Sequence, residues 1–140
     1  MESHVVPQVE GGISVLYEDP WLVVVNKPPG LFVHRSELDR REDDVVLTRV
    51  RDTMGSHVHP AHRLDRGVSG ALLFARDRGV LAELTALFRE RQVDKRYVAV
   101  VRGHMAGRGA LTRPVDGKPA VTTFATWLRG AVPYRDRSFT

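Results

Sequence analysis

The chain has 140 residues, and 42% of them are hydrophobic, so it can form one modest domain with a packed core rather than a disordered chain. The sequence contains no cysteine, which excludes disulfides, thiolate catalysis and cysteine-based zinc sites. The formal net charge is +4, and a positive balance favours a polyanionic partner such as RNA or DNA.

The beginning of the chain shows no targeting signal. No N-terminal stretch joins a positive start to an apolar core, and the longest apolar runs have only the length of a strand. We therefore expect a soluble, cytoplasmic protein without a membrane partner. Residues 1–12 show no periodicity and are expected to form a flexible tail, with one domain in residues 13–140.

Two short runs rich in β-branched and aromatic residues open the domain, at 13–17 and 21–26. Residues 18–20, Glu-Asp-Pro, have turn chemistry, so the two runs are predicted to form a hairpin or two neighbouring strands. The two prolines in 27–30 remove backbone donors and must end the second strand.

Two helices are predicted. Residues 45–53 are expected to form a short helix with Asp43 or Asp44 as its N-cap. Residues 78–92 carry the clearer pattern, because their apolar side chains recur at three- and four-residue steps and Asp77 precedes them as an N-cap.

Further strands are predicted between and after the helices. The continuous apolar run 71–75 indicates a buried strand, and residues 97–101 indicate a second one. Residues 111–113 are expected to extend a hairpin, and 121–128 to form another strand. This order predicts an α+β fold with a mixed, largely antiparallel sheet and flanking helices.

Residues 57–70, HVHPAHRLDRGVSG, are compatible with three kinds of site. The first is a metal site, since His57, His59 and His62 resemble the H-x-H-x-D-H signature of metallo-β-lactamase-fold hydrolases. Ala61 stands where that signature needs aspartate, so we expect no metal.

The second is a serine nucleophile elbow, G-x-S-x-G. Residues 67–71 do not match it, because their last residue is not glycine and because they precede a strand, whereas the elbow follows one. The third is a single catalytic carboxylate, Asp65, in a loop ahead of a rigid strand. Arg63 and Arg66 flank it and favour its ionised form. From the residues alone, a surface salt bridge is the better explanation for most Arg-x-Asp triplets.

Three segments together resemble a known family. Residues 62–70, HRLDRGVSG, resemble the H-R-L-D-x-x-T-S-G motif of RluA-type RNA pseudouridine synthases. Residues 26–30, NKPPG, and residues 95–103, KRYVAVVRG, resemble the family's N-K-P-x-G and K-x-Y segments, in the family's order. Residues 33–40, with Ala61 ahead of the motif, are similar to the tRNA pseudouridine synthase C branch, which modifies a uridine in the T stem of tRNA.

The resemblance implies a partial pseudouridine synthase fold. It also implies an isomerisation of uridine in RNA that involves neither redox chemistry nor hydrolysis. The bond from C1′ to N1 breaks, a bond from C1′ to C5 forms, and neither a cofactor nor a metal is implied. Asp65 would be the essential carboxylate, either as nucleophile at C1′ or as base at C2′. Tyr97 would stack on the flipped uracil and assist removal of the C5 proton.

The resemblance also implies an RNA-binding surface around Asp65. Arg63 is the candidate to fill the gap left by the flipped base, because guanidinium planes stack on bases. His62 and Arg66 are placed at the same surface, where His62 orders the loop rather than transferring protons. Six basic residues are candidate phosphate contacts, although each is equally explained as a solvated surface charge. They are Arg35, Arg40, Arg41, Lys95, Arg96 and Arg102.

The sequence departs from the family pattern in two places. Val68 replaces the usual threonine, which removes a hydroxyl and is expected to tune the loop. No segment after Leu128 resembles the family's G-R-x-H-Q-L-R motif, whose basic residue pairs with the catalytic aspartate. We therefore expect the N-terminal part of a catalytic domain, weak or inactive alone and able to self-associate through an open sheet edge. The alternatives are a non-catalytic RNA-binding remnant and, more distantly, a metal-dependent hydrolase.

Overall fold

A computed structural model of the chain describes residues 8–9, 12–34, 44–105, 107–132 and 137–139. The chain divides into two compact units, Met1–Asp94 and Lys95–Thr140. None of the helices in these described ranges is long and apolar enough to cross a membrane.

The first unit contains a five-stranded sheet whose strand order is β1-β2-β3-β5-β4. All its ladders are antiparallel, whereas a mixed, largely antiparallel sheet was predicted. Its strands are β1 (Gln8–Val9), β2 (Ile13–Glu18), β3 (Leu22–Lys27), β4 (His59–Pro60) and β5 (Gly70–Ala75). The predicted hairpin is confirmed as β2 and β3, and the predicted buried strand as β5. The expected tail lies largely outside the described residues, and within it β1 pairs with the start of β2.

The core lies on one face of this sheet. In β3 and β5 the alternating residues Val23, Val25, Leu72 and Phe74 are fully buried, because successive side chains of a strand point to opposite faces. Val23 lies opposite Phe74, and Val25 lies opposite Leu72. The same hydrophobic cluster includes side chains from β2, the first helix and the loops: Ile13, Val15, Val33, Val46, Val50, Val58 and Leu64.

Helix α1 (Val46–Met54) confirms the first predicted helix but not its cap. Its N-cap is Val45, which makes no side-chain capping bond. Instead, the amide of Val46 donates to the carbonyl of Phe32 at 2.9 Å, so the loop after β3 supplies the acceptor. The prediction of Asp44 as the N-cap is therefore wrong. Its carboxylate accepts a hydrogen bond from Arg49 Nε at 2.6 Å instead. Asp43 lies outside the described residues.

Helix α2 (Arg78–Arg89) is three residues shorter than its predicted range of 78–92. The predicted N-cap is confirmed, since Asp77 Oδ1 accepts from the amide of Val80 at 2.9 Å. The chain leaves the helix through Arg91, which has a φ of 57°. No residue of α2 is fully buried, and the cap bond gives one of the amides at the helix start an acceptor.

Replacing Asp77 with alanine is expected to lower the free energy of unfolding by about 1 kcal/mol, because the Val80 amide loses its acceptor. Urea unfolding followed by circular dichroism measures this loss. Asp77→Ser is the matched control, since serine also accepts the capping bond and should lie near the wild type. Equal destabilisation by both variants would contradict the capping role.

The second unit contains two antiparallel hairpins, β6 (Arg108–Leu111) with β7 (Thr122–Ala125) and β8 (Gly130–Val132) with β9 (Arg137–Phe139). The hairpin expected at 111–113 therefore begins earlier, and the strand expected at 121–128 is shorter. Between β6 and β7, the backbones of Val115 and Lys118 exchange two hydrogen bonds of 3.0 Å around an Asp-Gly turn.

The predicted buried strand at 97–101 is wrong. These residues have no regular secondary structure, and Tyr97 and Val98 are 64% and 79% exposed. None of the described strands pairs with this segment, so its backbone gains no ladder and its apolar side chains have no sheet face to cover. A continuous apolar run indicates what a segment would bury but not whether a neighbour is there.

Candidate active site

Asp65 lies in a tight turn that joins the core to strand β5. Leu64 just before it is buried in the core, and the carbonyl of Asp65 accepts from the amide of Val68 at 3.0 Å. The Asp65 side chain itself is 82% exposed. The turn therefore anchors its backbone in the protein and presents its carboxylate to solvent, as a catalytic loop on a rigid scaffold does.

Lys27, at the end of β3, binds this turn from the inside. Its side chain is completely buried, and its ammonium donates to the carbonyls of Val68 at 2.8 Å and Arg66 at 3.2 Å. A third bond, of 3.0 Å, goes to the carbonyl of Pro28. The N-K-P-x-G-like segment and the H-R-L-D-like segment thus meet through one buried cation.

A second set of bonds joins the same two segments at Gly30. The Gly30 amide donates to the Arg66 carbonyl at 2.7 Å, and Arg66 Nε donates back to the Gly30 carbonyl at 2.9 Å. Gly30 has a φ of +93°, a conformation that side-chain-bearing residues rarely adopt. The Arg66 guanidinium also lies 5.0 Å from the ring centre of Phe32, within cation–π range.

His62 has a structural contact behind the turn. Its Nε2 accepts from the amide of Leu73 in β5 at 3.3 Å, and its ring lies 4.9 Å from that of Phe88 in α2. These two contacts join His62 to β5 and α2, and its role in ordering the loop stays a prediction. In the part of the chain that the structure describes, no three His, Asp or Glu residues are grouped to hold a metal ion, and this includes His57, His59 and His62.

The charges around Asp65 are of two kinds. Arg63 Nη2 lies 3.8 Å from Asp65 Oδ1, but both side chains are mostly exposed, so this ion pair is weak. Burial lowers the pKa of the Lys27 ammonium, and the negative charge of Asp65 acts in the opposite direction. The carboxylate therefore lies in a field to which a buried cation contributes.

Val68, the residue at which the sequence departs from the family motif, has defined contacts in the structure. Its side chain packs against the hydrophobic core, and its carbonyl is the nearest acceptor of the Lys27 ammonium. Valine keeps the branched shape at this position, so packing is retained although the hydroxyl is lost.

A shallow pocket of the first unit lies elsewhere, between β4 and α2, and does not include Asp65. Its lining consists of His59, Arg78, Leu81, Ala82, Thr85, Ala86 and Arg89. Asp65 stands on an open surface instead, which suits a large substrate better than a small enclosed one.

The remaining predicted site residues belong to the second unit or lie outside the described residues. Tyr97, Lys95, Arg96 and Arg102 belong to the second unit and are exposed. Arg35, with Arg40 and Arg41, lies outside the described residues. The roles predicted for all of them stay predictions, as does RNA binding by Arg63, His62 and Arg66.

Sequence reasoning missed the role of Lys27, although one signal was present. Strand alternation places Lys27 on the same face as Val23 and Val25, both fully buried. A lysine on an inward-facing position needs partners for its charge, and backbone carbonyls of the adjoining turn provide them.

Comparison with known proteins assigns this arrangement to a family. The family model described as RNA pseudouridylate synthase matches residues 21–135, so the chain belongs to that family. A solved structure, Human RNA Pseudouridylate Synthase Domain Containing 1, superposes with a TM-score of 0.72 over 95% of this chain and 59% of its own, at 22% identity. This confirms the predicted fold.

Curated relatives indicate the branch of the family. The tRNA pseudouridine synthase C of Pasteurella multocida is 48% identical over 103 residues, which are 74% of this chain and 42% of that protein. The protein of the same name from Vibrio parahaemolyticus is 35% identical over 143 residues, covering 91% of this chain and 58% of its own length. The chain thus spans less than two thirds of each of these relatives.

Proposed function

We propose that this chain carries the catalytic turn of an RNA pseudouridine synthase, with Asp65 as its catalytic carboxylate. The observation that carries the proposal is an exposed carboxylate on a turn that is bonded to a buried cation. The alternative is that Asp65 only forms a surface salt bridge with Arg63. Such a pair would not need a turn supported in this way, because exposed ion pairs contribute little to stability.

The proposed reaction is an isomerisation that conserves all atoms of the uridine. The C1′–N1 bond breaks and a C1′–C5 bond forms, while C5 loses a proton and N1 gains one. Asp65 acts either as the nucleophile at C1′ or as the base at C2′. Tyr97, exposed in the second unit, is proposed to stack on the uracil and to assist removal of the C5 proton.

The proposed substrate is a uridine in structured RNA, specifically tRNA. The relatives' names supply the tRNA class, and the net charge of +4 suits a polyanion. A stacked uridine must leave its helix to reach Asp65, and the exposed guanidinium of Arg63 lies beside that carboxylate. Self-association and a cytoplasmic location stay predictions.

The test is pseudouridine formation in unmodified tRNA transcripts under single-turnover conditions, with the purified chain in excess and the product nucleosides separated by mass spectrometry. We expect slow conversion, because the chain contains no segment like the basic G-R-x-H-Q-L-R motif. Transcripts in which uridine is replaced by 2′-deoxyuridine serve as the control for RNA-specific recognition. Binding of tRNA without any conversion would instead support the non-catalytic RNA-binding alternative.

A further inference from the structure

Helix α2 carries a straight row of exposed side chains along one face. Four residues follow one another at steps of four, three and four positions, so they lie on the same side of a helix with about 3.6 residues per turn. They are Arg78, Ala82, Thr85 and Arg89. At about 1.5 Å per residue, the two arginines mark the ends of a row about 17 Å long. His59 of β4 lines the same shallow pocket.

The charge along this row is positive. The lining of the pocket contains two arginines and a histidine, and no acidic residue of the described ranges belongs to it. Glu83 lies on another side of α2, because five residues beyond Arg78 correspond to a rotation of about 140°. The Glu90 carboxylate lies 3.6 Å from Arg89 Nη2, but both side chains are mostly exposed, so this pair is weak. The row therefore complements a polyanion.

Arg78 does not serve the stability of the helix that carries it. The first turn of a helix favours acidic side chains because its end is positive, yet α2 has no acidic residue in that turn. Arg78 is exposed, and its neighbour Asp77 accepts the capping bond from the amide of Val80. A residue that conflicts with the local preference of its element is expected where a surface has a function.

We propose that this face of α2 binds the minor groove of an RNA double helix, with Arg78 and Arg89 on phosphates of the two strands and Thr85 facing 2′-hydroxyl groups between them. That groove is wide and shallow, and proteins recognise it through its shape, its phosphates and its 2′-hydroxyls. Ala82 and Thr85 are short, so the helix can approach closely. The inference rests on the proposed RNA substrate and adds a second contact surface, since the pocket does not include Asp65.

The position of α2 allows one RNA molecule to contact both surfaces. The ring of Phe88, beside Arg89, lies 4.9 Å from that of His62, three residues ahead of Asp65. The last turn of α2 thus packs against the segment that carries the carboxylate. A uridine that leaves a stem to reach Asp65 has duplex on either side of it. The minor groove of DNA is only about 6 Å wide and does not admit a helix in this way.

The experiment measures binding of a blunt RNA duplex made only of G·C pairs, which contains no uridine and so no substrate for the Asp65 turn. Arg78→Gln and Arg89→Gln each remove one charge and introduce a residue of similar helix propensity. We expect each to weaken binding about fivefold and to lower the slope of log affinity against log salt by about one. The double variant should bind about 25-fold more weakly, because positions this far apart act independently.

Arg51→Gln is the matched control, because Arg51 is an exposed arginine of α1 that also lies beside a carboxylate, that of Asp52. It should bind the duplex within about twofold of the wild type. Urea unfolding separates binding from folding. Its midpoint should be unchanged or slightly higher in Arg78→Gln, since a cation leaves the positive end of α2.

Two further probes identify the groove that is bound. A 2′-O-methylated G·C duplex retains the phosphates but loses the 2′-hydroxyl donors, and it should bind at least about fivefold more weakly, as should a mixed-sequence DNA duplex of equal length. Equal affinity for either probe would overturn the proposal, as would an equal loss in Arg51→Gln. Wild-type affinity of the double variant would also overturn it, in favour of another polyanion such as an acidic protein.

The outcomes for this surface and for the catalytic turn are independent. Binding of the uridine-free duplex that depends on Arg78 and Arg89, in a chain that forms no pseudouridine, would contradict the proposed function of Asp65 alone. Pseudouridine formation with no dependence of duplex binding on the two arginines would contradict only the inference drawn from α2.

Discussion

Asp65→Asn is expected to lower the rate of pseudouridine formation by about 10³-fold or more, while tRNA binding stays largely intact. An amide neither attacks C1′ nor removes a proton from C2′, so either proposed role of the carboxylate is lost. The side chain is 82% exposed, and its ion pair with Arg63 is weak. The free energy of unfolding should therefore change by less than about 0.5 kcal/mol.

Asp52→Asn is the matched control for this variant. Asp52 is also an exposed carboxylate beside an arginine, 2.8 Å from Arg51, but it lies in α1 rather than in the turn. It should retain the wild-type rate. Single-turnover assays and tRNA titrations on both variants separate chemistry from binding. Wild-type turnover by Asp65→Asn would remove the carboxylate from the mechanism.

Phe74→Ala is expected to lower the free energy of unfolding by about 3–5 kcal/mol, the range for removing a large aromatic side chain from a core. Phe74 is completely buried in β5, where it lies opposite Val23 on one side and Pro60 on the other. Neighbouring strands restrict how far the space left by the ring can collapse. Urea unfolding followed by circular dichroism measures the loss.

Trp21→Ala is the control for removing an aromatic ring outside the core. The Trp21 side chain is 62% exposed, and the bond that its carbonyl accepts from the Arg76 amide is retained in the variant. Its expected effect is within about 1 kcal/mol. If the two variants destabilise the protein equally, the core does not lie where the burial of Phe74 places it.

Local patterns predicted much of the first unit because its signals are local. The hairpin of β2 and β3 follows from two apolar runs around an Asp-Pro turn, and Asp77 caps α2 through an amide three residues away. Asp44 failed as a cap because a carbonyl of the loop after β3 bonds the start of α1 instead. The strand predicted at residues 97–101 is absent, because a buried strand needs a neighbouring strand and sequence periodicity does not reveal whether one is there.

The candidate site was predicted in part for the same reason. Asp65 was singled out through its motif, and the structure gives His62 a bond from the Leu73 amide, while the roles of both residues stay predictions. The bond from Lys27 to the Arg66 carbonyl joins residues 39 positions apart, a tertiary contact that spacing alone does not predict. Alternation along β3 gave the inward direction of Lys27, but its acceptors required the folded turn.

The two outer strands of the first unit are short, so they offer little backbone of their own for pairing with another molecule. β1 and β4 each contain two residues, and one of those in β4 is Pro60, which has no backbone N–H. An incoming strand from another molecule would find few donors and acceptors on β1 or β4 themselves. Strand addition at β1 or β4 themselves is therefore disfavoured, and β3 is shielded between β2 and β5, whereas β5 is paired with β4 only at Phe74 and Ala75.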